Sequence, residues 1–198
     1  MERAIRYTVE AKKETNYVVY QGFVFSDMII GGTTETYFKP DIFTNAIGLF
    51  HVHPAETTGV YKKLGDVDIM LAVDMGLTFI TLGYAEVGVN PDMVVIAITF
   101  DVENTQYQRF RKELHQLEKE TARLYRRTSA ILKKYGTWAN VPSEVFSEIV
   151  NEDNRLITLR RDWLKRFLEF GKGVFFSVPE GVVIGKIEGV TNTPVKVY

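Results

Sequence analysis

Residues 45–54 read NAIGLFHVHP, an apolar run that leads into two histidines and a proline. The apolar residues before His51 predict a buried strand. His51 and His53 are two positions apart, so at the end of a strand both imidazoles point to the same face and can reach one ion. Pro54 cannot continue a central ladder, which leaves the histidine pair at the edge or mouth of a sheet.

The segment that follows supplies an oxygen ligand. Residues 55–64 read as a loop, and residues 66–75 are predicted to be helical, with Gly76 as the C-terminal stop. An aspartate in the first turn of this helix, Asp66 or Asp68, adds a carboxylate to the two imidazoles. Three protein ligands and an open position for water are typical of a catalytic zinc site. Neutral imidazole and carboxylate suit Zn²⁺, and other first-row metals also bind such ligand sets.

Strands are predicted on both sides of this stretch. Period-two alternation predicts a strand at Ile5–Ala11, and an aromatic and β-branched run predicts a second at Tyr17–Phe25, joined to the first by a turn at residues 13–16. Further strands are predicted at Thr34–Phe38, Leu77–Ala85 and Met93–Phe100. Strands interrupted by one short helix predict an α/β or α+β sheet domain over residues 1–103.

The hydrophobic period changes in the second half of the chain. Apolar residues spaced alternately by three and four over residues 107–131 predict a helix of about thirty residues with a heptad-like stripe. Ser143 is a predicted N-cap, and a further helix is predicted over residues 153–170. Two long helical segments with a short connection predict a helical hairpin arm over residues 104–172. Residues 173–198 predict a C-terminal β-hairpin.

Composition limits the class of protein. Hydrophobic residues make up 45% and charged residues 25% of the chain, as in a folded globular protein. No apolar run reaches the ~18–20 residues needed to span a bilayer, and the charged N-terminus lacks the apolar core of a secretory signal, so we expect no membrane association. Cysteine is absent, which excludes disulfides and thiol chemistry and predicts a cytoplasmic location.

The net charge of −1 conceals an asymmetry. Residues 1–103 carry 7 Lys or Arg and 14 Asp or Glu, a net −7, whereas residues 104–172 carry 15 and 9, a net +6. This division predicts two modules with different tasks. The basic helical arm has three interpretations: a solvated surface, a homodimer or partner contact through the stripe, or a nucleic-acid-binding surface.

Together these motifs resemble the JAMM (MPN+) metallopeptidase family, whose pattern is an upstream glutamate, H-x-H-P, a loop and S-x-x-D at a helix start. Residues 48–54 resemble the first block and residues 65–68 the second. The resemblance covers about residues 4–103. It implies a cytidine-deaminase-like sheet with a flanking helix, a bound Zn²⁺, and hydrolysis of a peptide or isopeptide bond. The implied substrate is a protein or peptide, such as a ubiquitin-like one.

The resemblance also implies which residues bind the metal. His51, His53 and Asp68 correspond to the family's ligands. The loop before the helix is a few residues longer than in the family, which leaves Asp66 as a rival to Asp68. Asp68 is preferred because Gly65 then lies at the N-cap, where glycine is tolerated, and Asp68 falls in the first turn.

The implied catalytic residues are a glutamate and the N-cap residue. Glu10, on the polar face of the predicted first strand, is favoured as the general base, and Glu14, predicted to lie in the turn, is the alternative. Gly65 replaces the serine that helps to bind the oxyanion and offers only its backbone N–H, and losing one such donor typically lowers the rate by ~10²–10³. The alternative function is therefore a catalytically weak or inactive MPN-type scaffold for protein assembly.

Overall fold

A computed structural model describes residues 7–8, 11–32, 36, 38–53, 66–85 and 93–171 of the chain. The chain divides into two compact units, the first including the residues up to Val102 and the second running from Glu103 to Phe170. The described residues form helices and a mixed β-sheet, so the predicted mixed α and β class is confirmed.

The first unit is built on a mixed sheet. Its strands are β1 (Thr15–Tyr20), β2 (Val24–Phe25), β3 (Ile29–Ile30), β4 (Ala46–His53), β5 (Phe79–Ala85) and β6 (Met93–Thr99). The order is β2-β1-β4-β5-β6, with β3 also paired to β1. Only the β4–β5 pair is parallel among the pairings of the described strands. A parallel pair needs a crossover connection, and the helix α1 (Asp66–Met75) lies within it.

Strand β4 lies in the middle of this sheet. It pairs with β1 on one side and with β5 on the other, and its last six residues are buried. The strand ends at His53, immediately before Pro54. The end of a buried central strand therefore carries both histidines.

Close packing of β4 against β5 depends on Gly48. It lies opposite Phe79 in the parallel register, and a Cβ at this position would overlap the Phe79 ring. The Phe79 ring also stacks on Phe23, with 6.4 Å between ring centroids. The ring is thus held on two sides, and only glycine fits beside it.

Helix α1 has the bounds that the sequence predicts, Asp66–Met75. It ends in a Schellman motif, in which Gly76 N–H donates to Val73 O and Leu77 N–H donates to Ala72 O. Gly76 adopts φ 69°, a left-handed conformation that glycine accepts without a steric penalty. Ala72, Val73 and Leu77 are fully buried, so this end of the helix is anchored in the core.

The predicted first strand at Ile5–Ala11 is wrong. Tyr7, Thr8 and Ala11 have helical backbone conformation. The alternation required Thr8 on a polar outer face, but Thr8 is fully buried and its hydroxyl is hydrogen-bonded to the Thr15 hydroxyl at 2.6 Å. A short alternation of this kind is weak evidence for a strand, and a buried side-chain hydrogen bond outweighs it here.

The predicted second strand, Tyr17–Phe25, is divided into β1 and β2. Gly22 and Phe23 adopt φ 74° and 57°, which turns the chain so that β2 folds back on β1. The predicted strand at Thr34–Phe38 lies partly outside the described residues, and within it Thr36 and Phe38 are not in a strand. The predicted C-terminal β-hairpin at residues 173–198 lies wholly outside them.

The second unit is an antiparallel pair of helices, α2 (Thr105–Tyr135) and α3 (Ser143–Gly171). Asn104 caps α2 by accepting hydrogen bonds from two backbone N–H groups. The predicted stripe is buried at Tyr107, Phe110, Leu114, Leu117, Thr121 and Leu124. Helix α3 is continuous from Ser143, so the separate helix predicted from residue 153 is part of one longer helix.

Aromatic and charged contacts fix the register of the two helices. Trp163 is fully buried, stacks on Phe167 at 5.0 Å between centroids, and donates its indole N–H to Phe110 O at 2.9 Å. Outside this core, arginines pair with glutamates of the facing helix at Arg127–Glu148, Arg155–Glu120 and Arg166–Glu113. Neither helix, nor any other within the described residues, is long and apolar enough to cross a membrane.

Candidate metal centre

The two histidines of β4 form the centre of the site. His51 is 3% and His53 7% exposed, and their ring centroids lie 4.5 Å apart with the rings nearly perpendicular. They share a face because alternate residues of a strand point the same way. The i, i+2 spacing therefore produces the convergence that the sequence predicts.

Helix α1 brings a carboxylate to both imidazoles. Asp68 Oδ1 lies 3.8 Å from Nε2 of His51, and Asp68 Oδ2 lies 3.9 Å from Nε2 of His53. The Asp68 side chain is 20% exposed, so solvent reaches this carboxylate. Asp66, the rival, is the first residue of the helix and is exposed. Of the two aspartates, Asp68 is the one beside the histidines.

Glu14, the residue immediately before β1, supplies a second carboxylate. It is 4% exposed, and its Oε1 lies 4.0 Å from Nε2 of His53. Its backbone is held by Gly31 and Gly32, since Gly31 N–H donates to Glu14 O and Glu14 N–H donates to Gly32 O. The expectation that Glu14 lies in an open turn is wrong. Glu10 and Gly65, the residues assigned to catalysis from the sequence, lie outside the described residues.

The separations around the histidines suit a metal ion. Glu14, His51 and His53 each offer a ligand atom, and these atoms lie within 4.8 Å of one another, close enough to bind one ion. Around a tetrahedral ion with bonds of ~2.0–2.1 Å, neighbouring ligand atoms are roughly 3.3 Å apart. The imidazole–carboxylate separations of 3.8–4.0 Å are slightly wider than this and too long for direct hydrogen bonds.

His51 is prepared to act as a ligand through Nε2. This nitrogen is buried and has no hydrogen-bond partner among the described residues, whereas Nδ1 is hydrogen-bonded to Asn16 Oδ1. A buried polar atom without a partner is costly, and a metal ion would satisfy it. Burial, followed by the neighbouring His53, holds the pKa of His51 well below its usual value of 6.5, so the imidazole is neutral at pH 7. Neutral imidazole is the form that binds metals.

Two residues at the site, Asn16 and Thr36, were not found by sequence reasoning, which named Glu14 only as the alternative to Glu10. Glu14 and Asn16 are two positions apart at the start of β1 and so share a face, by the rule that identified the histidines. The sequence pattern predicted a turn at residues 13–16, and this rule was therefore not applied to them. In the structure Asn16 belongs to β1 and pairs directly with His51 of β4. No local pattern marks Thr36.

Two imidazoles and two carboxylates in this arrangement can hold a metal ion. The buried carboxylate next to the ligand atoms can also accept a proton. Comparisons of the chain with protein-family models, with curated proteins and with solved structures found no match.

Proposed function

We propose that the first unit is a zinc-dependent hydrolase that cleaves a peptide or isopeptide bond, in the manner of the JAMM metallopeptidases that the sequence resembles. One observation carries the proposal: the buried pair His51 and His53 faces carboxylates contributed by two other elements, Asp68 of α1 and Glu14 before β1. The motif predicted His51, His53 and Asp68. Glu14, which the sequence offered as the alternative to Glu10, lies beside His53.

The distances support different roles for the two carboxylates. Asp68 directs one oxygen towards each imidazole, at 3.8 and 3.9 Å, which brings its carboxylate beside both Nε2 atoms. Glu14 Oε1 lies 4.0 Å from Nε2 of His53, and the other oxygen of Glu14 accepts a hydrogen bond from the Thr36 hydroxyl at 3.0 Å. We therefore assign His51, His53 and Asp68 as ligands and Glu14 as the general base, the role that the sequence assigned to Glu10.

The proposed chemistry needs no covalent intermediate. Bound Zn²⁺ would lower the pKa of a coordinated water towards ~7 and polarise the scissile carbonyl. Glu14 would accept the proton of the attacking water and transfer it to the leaving amine. The Thr36 hydroxyl would hold the carboxylate in place during this transfer. Because Glu14 is 4% exposed, bulk water has little access to its carboxylate.

Metal content tests the ligand assignment. Protein purified after incubation with Zn²⁺ should retain one equivalent, measured by elemental analysis, and His51→Ala combined with His53→Ala should retain none. His115→Ala is the matched control, because His115 is the chain's third histidine and lies exposed on α2. Equal zinc in all three proteins would refute the site.

Cleavage of an isopeptide-linked ubiquitin-like dimer, with a generic peptide in parallel, tests catalysis. Glu14→Gln should keep the zinc and lower the rate by ~10²–10⁴, the usual contribution of a general base. Glu10→Gln is the matched control and should keep the activity. Loss of activity in Glu10→Gln but not in Glu14→Gln would show that Glu10 is the general base. Stoichiometric zinc without cleavage of either substrate would favour the MPN-type scaffold.

A further inference from the structure

A continuous chain of hydrogen bonds lies behind the histidine pair. Glu14 Oε2 accepts from the Thr36 hydroxyl at 3.0 Å, and the same hydroxyl oxygen accepts from Asn16 Nδ2 at 2.9 Å. Asn16 Oδ1 is hydrogen-bonded to Nδ1 of His51. Asn16 is fully buried. The chain thus links the carboxylate assigned as the base to an imidazole assigned as a ligand.

The direction of this chain follows from the hydrogen-bonding capacity of each group. An ionised carboxylate only accepts, so Thr36 must donate its single O–H proton to Glu14. The Thr36 oxygen can then only accept, and the Asn16 group facing it must be NH₂. This directs Oδ1 of Asn16, an acceptor, towards His51, so Nδ1 of His51 must carry the ring proton. The lone pair of the neutral imidazole is consequently on Nε2, on the Asp68 side.

We propose that Asn16 and Thr36 are positioning residues that fix His51 as its Nδ1–H tautomer and so present Nε2 to the metal. The inference rests on the proposed metal site. Ligating histidines usually donate their second ring N–H to a protein acceptor, and losing that partner typically costs 10–100-fold in metal affinity. Here the acceptor is an amide, which can turn over, and Thr36 determines which end of it faces the imidazole.

Thr36→Val separates this proposal from simple packing. Valine has nearly the shape of threonine but no hydroxyl, so the Asn16 amide loses the acceptor that orients it. When the NH₂ group turns towards His51, Nδ1 must accept and the ring proton moves to Nε2, which blocks the ligand atom. Thr36→Ser keeps the hydroxyl and should restore the wild-type state.

Asn16→Asp provides an independent variant. The new carboxylate still accepts from Nδ1 of His51, so the tautomer should be kept. It also takes the single proton of Thr36, so the hydrogen bond from Thr36 to Glu14 is lost. Asn16→Asp should therefore keep the histidine state that Thr36→Val disturbs.

The experiment measures the tautomers in metal-free, ¹⁵N-labelled protein by long-range ¹H–¹⁵N correlation at neutral pH. The chain has three histidines, and the exposed His115 serves as an internal reference. Wild type, Thr36→Ser and Asn16→Asp should show His51 as Nδ1–H, and Thr36→Val should show a substantial Nε2–H population. In a competition titration, Thr36→Val should bind Zn²⁺ 10–100-fold more weakly than the wild type, and Thr36→Ser should bind it as tightly as the wild type.

Two results would overturn the inference: an Nε2–H tautomer of His51 in the wild type, or a Thr36→Val protein with wild-type tautomer and zinc affinity. Circular dichroism of each variant confirms that it is folded before its spectra are compared. A wild type with the Nδ1–H tautomer that binds no zinc would instead refute the proposed metal site, so the two failures are distinguishable.

Discussion

Acidification of the metal-free protein should destabilise the first unit through His51. The imidazole is 3% exposed, and burial together with the neighbouring His53 lowers its pKa well below 6.5. Because Asn16 occupies Nδ1, an added proton must go to Nε2. Asp68 Oδ1, 3.8 Å away, attracts that proton, and desolvation of the buried ring opposes it. Desolvation is the larger effect at this depth.

The size and sign of the effect follow from proton linkage. In the unfolded chain a histidine takes up its proton near pH 6.5, whereas folded His51 does so only at lower pH. Between these two values the unfolded state binds one more proton. The free energy of unfolding therefore falls as the pH falls, by about 1.4 kcal/mol per pH unit, until the pH reaches the folded pKa. The stabilisation is fully present above about pH 6.5 and is lost progressively below it.

Urea unfolding measured from about pH 5 to 7.5, a range that brackets the unperturbed histidine pKa, tests this expectation. Following the amide resonances of β4 reports on the first unit by itself. Glu120 and Glu152 do not interfere, because hydrogen bonds from Arg155 lower their pKa values, and the stabilisation they provide is lost only below their usual 4.5. The readout is the slope of stability against pH, so a variant of lower overall stability is still informative.

His51→Gln should lose most of the slope, and His115→Gln, at an exposed position on α2, should keep it. A wild type whose stability rises on acidification would show that attraction to Asp68 and Glu14 outweighs burial. Equal slopes in wild type and His51→Gln would show that His51 is not the titrating group. Either result would refute the reasoning.

Three further predictions concern packing and metal. Gly48→Ala should lower the free energy of unfolding of the first unit by about 1–3 kcal/mol, because its methyl group overlaps Phe79, and adding Phe79→Leu should recover part of the loss in urea titrations. Trp163→Ala should cost about 3–5 kcal/mol in the second unit by circular dichroism. Trp163→Phe, which keeps an aromatic ring against Phe167, should cost only about 1–2 kcal/mol, and equal losses would contradict this interpretation. Zn²⁺ at 100 times its dissociation constant should add about 2.7 kcal/mol to the first unit, reversibly on chelation and not in the double histidine variant.

Much of the fold follows from patterns that one element determines by itself. The apolar run ending at His53 predicted β4, and the stop at Gly76 predicted the end of α1. The three- and four-residue spacing predicted the buried face of α2. The predictions of secondary structure are wrong where contacts with another segment of the chain determine the conformation. Thr8 is buried and hydrogen-bonded to Thr15, a contact that is formed only in the folded chain.

The candidate site divides in the same way. His51, His53 and Asp68 follow from local spacing, because a strand and the first turn of a helix orient their own side chains. Glu14 and Asn16 depend on the pairing of β1 with β4, a register that no local pattern determines. Site residues on the strand that pairs with the motif strand are therefore the ones that sequence analysis does not identify.

The basic surface predicted for the helical unit is partly neutralised in the fold. Arg127, Arg155 and Arg166 contribute to the predicted positive arm, and each pairs with a glutamate of the facing helix. Exposed pairs of this kind contribute little stability individually, but they neutralise part of the charge that nucleic acid would require. Binding of nucleic acid by this unit accordingly has less support than its sequence suggests.

The ladder of ion pairs in the helical hairpin has a consequence for the order of folding. The paired residues are 21, 35 and 53 positions apart in the chain. Once the pair nearest the turn has formed, each following pair closes only a short additional loop, so the additional entropy cost is small. The central strand β4 has no such stepwise route, because its pairing with β1 joins residues about 35 apart and its parallel pairing with β5 must wait for the crossover. We expect the helices to assemble first and the slow refolding phase to report on the sheet, so that metal capture is the last event of folding.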